Sequence, residues 1–248
     1  MTSDSFTGYG GARLALHRLG SGRPVVLLHG LFSSAQVNWI KFGTAARLVE
    51  AGFECLMPDL RAHGASAAPH AAGDYPRDVL VKDVFALVAE LRLEDFDLVG
   101  FSLGARTAVQ AVVSGMTPRR LVLGGMGLEG LTDWERRSGF FVKAIDRFDD
   151  IKRGDPEYVA QQFMKTQKTD RVATRLLLTS VSDVDTGALA RVAMPTLLVC
   201  GADDRDNGSA QRLAEVLPDA RYAEVPGTHM SSVTQREFGE AITEFLVD

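Results

Sequence analysis

The chain has 248 residues, 46% apolar and 24% charged, with a net charge of −5 and a pI near 5.6. That length suits one α/β domain with an insertion and buries a full core without disulfides or a structural metal. No Lys/Arg run supplies the basic surface that nucleic-acid phosphates require, and no segment nears the ~20 apolar residues of a membrane span.

The opening Met1-Thr2-Ser3-Asp4-Ser5 has neither a basic head nor an apolar stretch. No secretory signal is expected there, and the cytoplasm is the expected location. Gly8-Tyr9-Gly10-Gly11 reads as a turn, and residues 14–18 as an edge strand. Residues 24–29, PVVLLH, form a continuous apolar run, as in a parallel strand covered on both faces. Residues 38–51 have helical spacing, with Trp39, Phe42, Ala46 and Val49 on one face and Gly52 as the stop. Residues 53–57 give the next strand.

The alternation continues. Residues 75–93 read as a helix with Val79, Val84, Leu87, Val88 and Leu91 inward. Strands are expected at 97–101, 120–123, 196–200 and 221–225, with helices at 103–114, 209–217 and 234–247. Such alternation implies a mostly parallel sheet flanked by helices on both faces. Residues 131–192 break it. Amphipathic helical patterns such as Phe141, Ile145 and Phe148 appear there instead, and no strand. The expected organisation is therefore a core of residues 1–130 and 193–248 with a helical insertion at 131–192. Cys55 and Cys200 each fall in an apolar strand and read as buried thiols, not as a disulfide or zinc pair.

The strongest chemical signal is Gly100-Phe101-Ser102-Leu103-Gly104. It lies between a strand and a helix, the context in which G-x-S-x-G forms a nucleophile elbow. The glycines permit a sharp turn and close approach, and the helix N-terminus favours developing negative charge. A serine hydroxyl needs a base. Of His17, His29, His63, His70 and His229, the best candidate is His229, on the loop after the last strand. Ligand sites of open α/β sheets lie at that end of the strands. The base needs a carboxylate to hold its tautomer. Asp204 is the first choice, Asp203 the second and Asp206 the third; Glu129 is an alternative position. An oxyanion needs preorganised N–H donors. Leu103 should give one, and the His29-Gly30-Leu31-Phe32 loop the other, from Leu31 or alternatively Phe32. His29 is expected to orient that loop.

HGLF at 29–32, DLRAHGAS at 59–66, GFSLG at 100–104, GADD at 201–204 and GTH at 227–229 occur in an order that resembles the α/β-hydrolase fold superfamily. The resemblance implies an eight-stranded, mostly parallel sheet, a helical lid at 131–192 and no cofactor. It also implies a serine hydrolase acting on a small-molecule acyl substrate, most simply a carboxylic ester or lactone. C–C bond cleavage, acyl transfer or perhydrolysis would use the same parts, and a non-catalytic ligand receptor could share the scaffold. Ala62 stands where the superfamily usually has glycine, and Thr228 precedes the histidine in place of glycine. Asp59 and Arg61 are expected to tie loops together. Metal chemistry has no HExxH or HxHxDH motif to rest on, and neither Gly-rich stretch has the spacing of a phosphate loop.

Overall fold

A computed structural model describes residues 2–248, with the side chains of Thr2 and Ser3 excepted. Two strands open the chain, β1 (Thr2–Thr7) and β2 (Arg13–Gly20), and β3 (Arg23–Leu28) follows. Next come α1 (Thr44–Glu50), β4 (Phe53–Pro58), α2 (Val79–Glu90), β5 (Asp97–Phe101), α3 (Leu103–Val113) and β6 (Leu121–Gly124). Four helices then interrupt the alternation: α4 (Leu128–Thr132), α5 (Trp134–Asp146), α6 (Tyr158–Gln167) and α7 (Arg171–Ser180). The chain closes with β7 (Thr196–Gly201), α8 (Ala210–Val216), β8 (Ala220–Val225), α9 (His229–Ser232) and α10 (Arg236–Val247).

The eight strands form one sheet in the order β1-β2-β4-β3-β5-β6-β7-β8. β2 runs antiparallel to both neighbours, and every pair from β4 through β8 is parallel. The period-2 alternation of strand side chains divides the apolar runs between two cores. Val26 and Leu28 of β3 join Leu98, Leu121, Leu123 and Leu198 on the face covered by α2 and α3. Val25 and Leu27 join Val99, Val122 and Val199 on the face covered by α1 and α10. Both cysteines are free and buried in strands, and burial pushes both thiols up to about 12.

Three local expectations need correction. Residues 14–18 belong to β2, which is an inner strand; the edge is β1. The expected helix at 38–51 is two pieces, a wide turn at Gln36–Ile40 and then α1. Gly43 separates them at φ 85, which resets the helical phase. Trp39 therefore stays buried while Phe42 and Ala46 are exposed, and Ala45 and Leu48 take the inward face. α2 starts at Val79, four residues after the expected 75, because Pro76 disfavours helical backbone before it and Asp78 is left-handed (φ 54). No helix is long and apolar enough to cross a membrane among the described residues.

The topology decides where functional side chains can meet. β3, β5, β7 and β8 are mutually parallel, so the loops after them share one edge of the sheet. The turn from β5 into α3 is the tightest of these. A Cβ on Gly104 would stand 2.1 Å from the Leu28 carbonyl oxygen, and one on Gly100 would stand 2.4 Å from that of Gly104. Only glycine lets α3 lie this close to β3 and β5.

Candidate active site

Ser102 sits between β5 and α3 with φ 52 and ψ −111. This backbone is sparsely populated for a residue with a side chain and costs on the order of 1–3 kcal/mol. The surrounding turn holds it, because Ser102 N–H donates to Gly124 O and Ser102 O accepts from Arg106 N–H. The strain lifts the hydroxyl off the sheet edge. It also leaves Oγ free of any helix-capping bond.

His229 opens α9, just after β8. Thr228 and Ser231 form a reciprocal capping box that fixes this turn: the Thr228 side chain accepts from Ser231 N–H, and Ser231 Oγ accepts from Thr228 N–H at 2.8 Å. Phe101 backs the imidazole, with ring centroids 5.0 Å apart. Asp204 lies in the turn after β7, where its N–H donates to Gly201 O. The neighbouring Asp203 N–H donates to Gly227 O and ties the acid loop to the histidine loop.

These loops bring three side chains into line. The Ser102 hydroxyl lies 2.9 Å from His229 Nε2, and His229 Nδ1 lies 2.8 Å from Asp204 Oδ2. The arrangement fits a neutral imidazole protonated on Nδ1, accepting from Ser102 and donating to Asp204. Burial alone would raise the Asp204 carboxyl. The hydrogen bond from His229, the Asp206 N–H and the Arg137 guanidinium outweigh it and hold this group below the usual carboxylate range. Asp204 is thus an anion wherever His229 acts as a base.

The other candidate acids go elsewhere. Asp203 and Asp206 line the cavity above Ser102, and the Asp206 carboxylate pairs with Arg137. Glu129 accepts from Ser209 N–H and pairs with Arg212.

The loop after β3 is held by three side chains. Asn38 Oδ1 accepts from Gly30 N–H at 3.0 Å. His63 Nε2 accepts from Phe32 N–H at 3.0 Å, and His29 Nε2 accepts from Leu60 N–H at 2.9 Å. Burial lowers both histidines, His63 to about 3, so both stay neutral acceptors. Because Phe32 N–H is occupied, the free donor of the two candidates is Leu31. Among the described residues, neither Leu31 N–H nor Leu103 N–H has a protein acceptor. The sequence alone does not show these roles of Asn38 and His63. The His63 signal was its place in the 59–66 segment; Asn38 had none.

Asp59 and Arg61 tie loops together as expected. Asp59 accepts from the N–H groups of Ala35 and Ala65 and bonds His17. Arg61 pairs with Asp83 and donates to the carbonyls of Tyr9 and Asp74. Ala62, in the usual glycine position, adopts the left-handed conformation itself (φ 65), so the turn survives.

A cavity of about 850 Å³ opens above Ser102. Its floor includes Leu31, Ser102, Leu103 and His229, and its roof includes Trp134, Phe141, Ala160 and Phe163 from α5 and α6. Arg106, one helical turn after Ser102, is a third residue whose role the sequence did not show. Its guanidinium reaches Gly130 O, Ser182 O and Asp183, which fastens both ends of the inserted helices to α3. An arginine in an Ala/Val-rich helix was the available signal.

Residues 25–241 match the model of the Alpha/beta hydrolase family. The chain belongs to this family. As in other alpha/beta hydrolases, the sheet has eight strands and is mostly parallel. The pyrrolizixenacetamide deacetylase of Xenorhabdus hominickii is 24% identical, with 92% of each chain covered. The 2-hydroxymuconate semialdehyde hydrolase of Pseudomonas sp. strain CF600 is 32% identical over 49% of this chain and 42% of its own. Two further curated relatives are matched over only 29% and 34% of their length. The structure of an esterase from Exiguobacterium antarcticum superposes with a TM-score of 0.79 at 20% identity, covering 100% of both chains. At that identity the likeness establishes an alpha/beta hydrolase fold and no more.

Proposed function

We propose that this alpha/beta hydrolase is a cofactor-free serine hydrolase that cleaves a small-molecule carboxylic ester or lactone through an acyl-enzyme on Ser102. The observation that carries the reading is the 2.9 Å approach of Ser102 Oγ to His229 Nε2, with Asp204 on the other ring nitrogen. His229 takes the serine proton as Oγ attacks the acyl carbon. Asp204 holds the tautomer and stabilises the imidazolium that forms. The N–H groups of Leu31 and Leu103 receive the oxyanion, each such donor contributing on the order of 3 kcal/mol to the transition state. His229 then protonates the leaving group and activates water against the acyl-enzyme.

Residues 131–192 act as the lid in this reading. Four aromatic residues of α5 and α6, Trp134, Phe140, Phe141 and Phe163, line the cavity and support that role. These aromatic rings exclude water and strengthen each polar contact beneath them. A second reading, hydrolysis of a C–C bond beside a ketone, is favoured by the likeness to a 2-hydroxymuconate semialdehyde hydrolase.

Short 4-nitrophenyl esters, longer ones, lactones and a vinylogous diketone, assayed side by side in ¹⁸O-labelled water, test both readings. We expect ester or lactone turnover, with one labelled oxygen in the acid product. Cleavage of the diketone with every ester and lactone refused would replace the first reading by the second.

A further inference from the structure

The cavity above Ser102 is basic in a chain whose net charge is −5. Five cationic side chains line it and only two carboxylates, those of Asp203 and Asp206. Most of these cations are already committed or lie in solvent. Arg106 spends its guanidinium on Gly130, Ser182 and Asp183. Arg136 is exposed and pairs with Asp133. Lys41 and Arg205 are also exposed.

Arg137 differs from them. It projects from α5 with its side chain only 19% exposed, and the Phe141 ring centroid lies 5.5 Å from its guanidinium carbon. One N–H donates to the Asp206 backbone oxygen at 2.5 Å. Among the described residues its only paired carboxylate is that of Asp206, 3.8 Å away and half in solvent. Asp204 also acts on it but is engaged by His229. Burial pulls the Arg137 pKa down, and the charges of Asp206 and Asp204 offset it only in part. A fork of donors set against an aromatic ring matches a planar carboxylate.

We infer that the substrate carries a carboxylate besides its scissile acyl group, and that Arg137 receives it against the Phe141 ring. This rests on Ser102 being the nucleophile. Trp134, Phe140 and Phe163 line the roof beside it, so the body between the two groups is a short hydrocarbon chain or ring. Affinity for such a substrate weakens with salt, although a half-buried pair is screened less than a surface one.

Matched ester pairs test the inference. The mono-4-nitrophenyl ester of adipic acid is compared with its methyl 4-nitrophenyl diester, and 4-carboxyphenyl butanoate with its methyl ester. In the protein as it stands, kcat/KM should favour the anion at least tenfold in one pair. Arg137→Gln should erase that ratio, mainly through KM, and Arg137→Lys should retain part of it. Arg153→Gln, which removes an equal charge outside the cavity, should leave the ratio as it was. Equal or better use of the neutral ester in both pairs would overturn the inference, as would a preference that survives Arg137→Gln. In those cases turnover of the neutral esters still supports Ser102 chemistry. Failure to cleave any ester would instead remove the reading on which this inference rests.

Discussion

Ser102→Ala should lower ester turnover by about 10⁴- to 10⁶-fold, the range seen when single members of a comparable triad are removed. The residual rate comes from the oxyanion donors and from substrate binding, which the substitution leaves in place. KM should move little. The fold should survive, because Ser102 Oγ makes no capping bond and its one side-chain partner is His229. The strained backbone is held by main-chain hydrogen bonds to Gly124 and Arg106, which alanine also makes. Thermal unfolding should therefore stay close to that of the unaltered protein. Steady-state kinetics beside a melting curve reads both quantities. Turnover within tenfold of normal would mean that Ser102 is not the nucleophile.

Arg61→Met should cost about 3–5 kcal/mol of stability, the usual result of stranding one partner of a buried ion pair. Arg61 and Asp83 are both almost fully buried and joined by two hydrogen bonds, of 2.9 and 2.7 Å. Methionine fills much of the volume but leaves Asp83 with only the Tyr9 N–H. Burial already holds the Asp83 carboxyl above its usual range despite Arg61, and losing the guanidinium raises it further. The folded variant then binds a proton more tightly than the unfolded chain. Its stability is greatest below the unfolded carboxylate pKa of ~3.9 and falls as pH rises through the raised folded value. The deficit relative to the unaltered protein should thus be larger at pH 7 than at pH 5 in urea melts. Arg61→Met combined with Asp83→Leu should recover most of it. A deficit independent of pH would show that lost packing, not the stranded carboxylate, is responsible.

The legible parts of the fold were those where one physical demand dominates. The PVVLLH run at 24–29 is apolar throughout because both faces of β3 are covered, and that needs no tertiary knowledge. The turn at Ser102 announces itself because a chain that tight, packed against Leu28, admits only glycine at 104. Loops after parallel strands share an edge, so the order of Ser102, Asp204 and His229 along the chain already placed them together. The choice between Asp203 and Asp204 was harder. Adjacent acids in a turn point apart, and only the geometry shows Oδ2 of Asp204 on the imidazole.

Other features depended on contacts distant in sequence. One left-handed glycine, Gly43, changed which side chains of α1 face inward, and periodicity across the break was misleading. The edge position of β1 depends on its pairing with β2, which local composition does not express. The roof of the cavity was the least legible part. Phe141, Ile145 and Phe148 share a helical stripe, yet Ile145 is buried in the core while Phe141 lines the cavity and Phe148 lies under Arg171. Which of them meets a substrate depends on how α5 packs against α6 and α7.

The central claim is that Ser102 is an activated nucleophile. Reaction with a fluorophosphonate, followed by intact mass and peptide mapping, tests it most directly. We expect one adduct per chain, located on Ser102, absent in Ser102→Ala and formed far more slowly in Asp204→Asn. Folded protein that takes up no adduct, or that carries it on another residue, would contradict it.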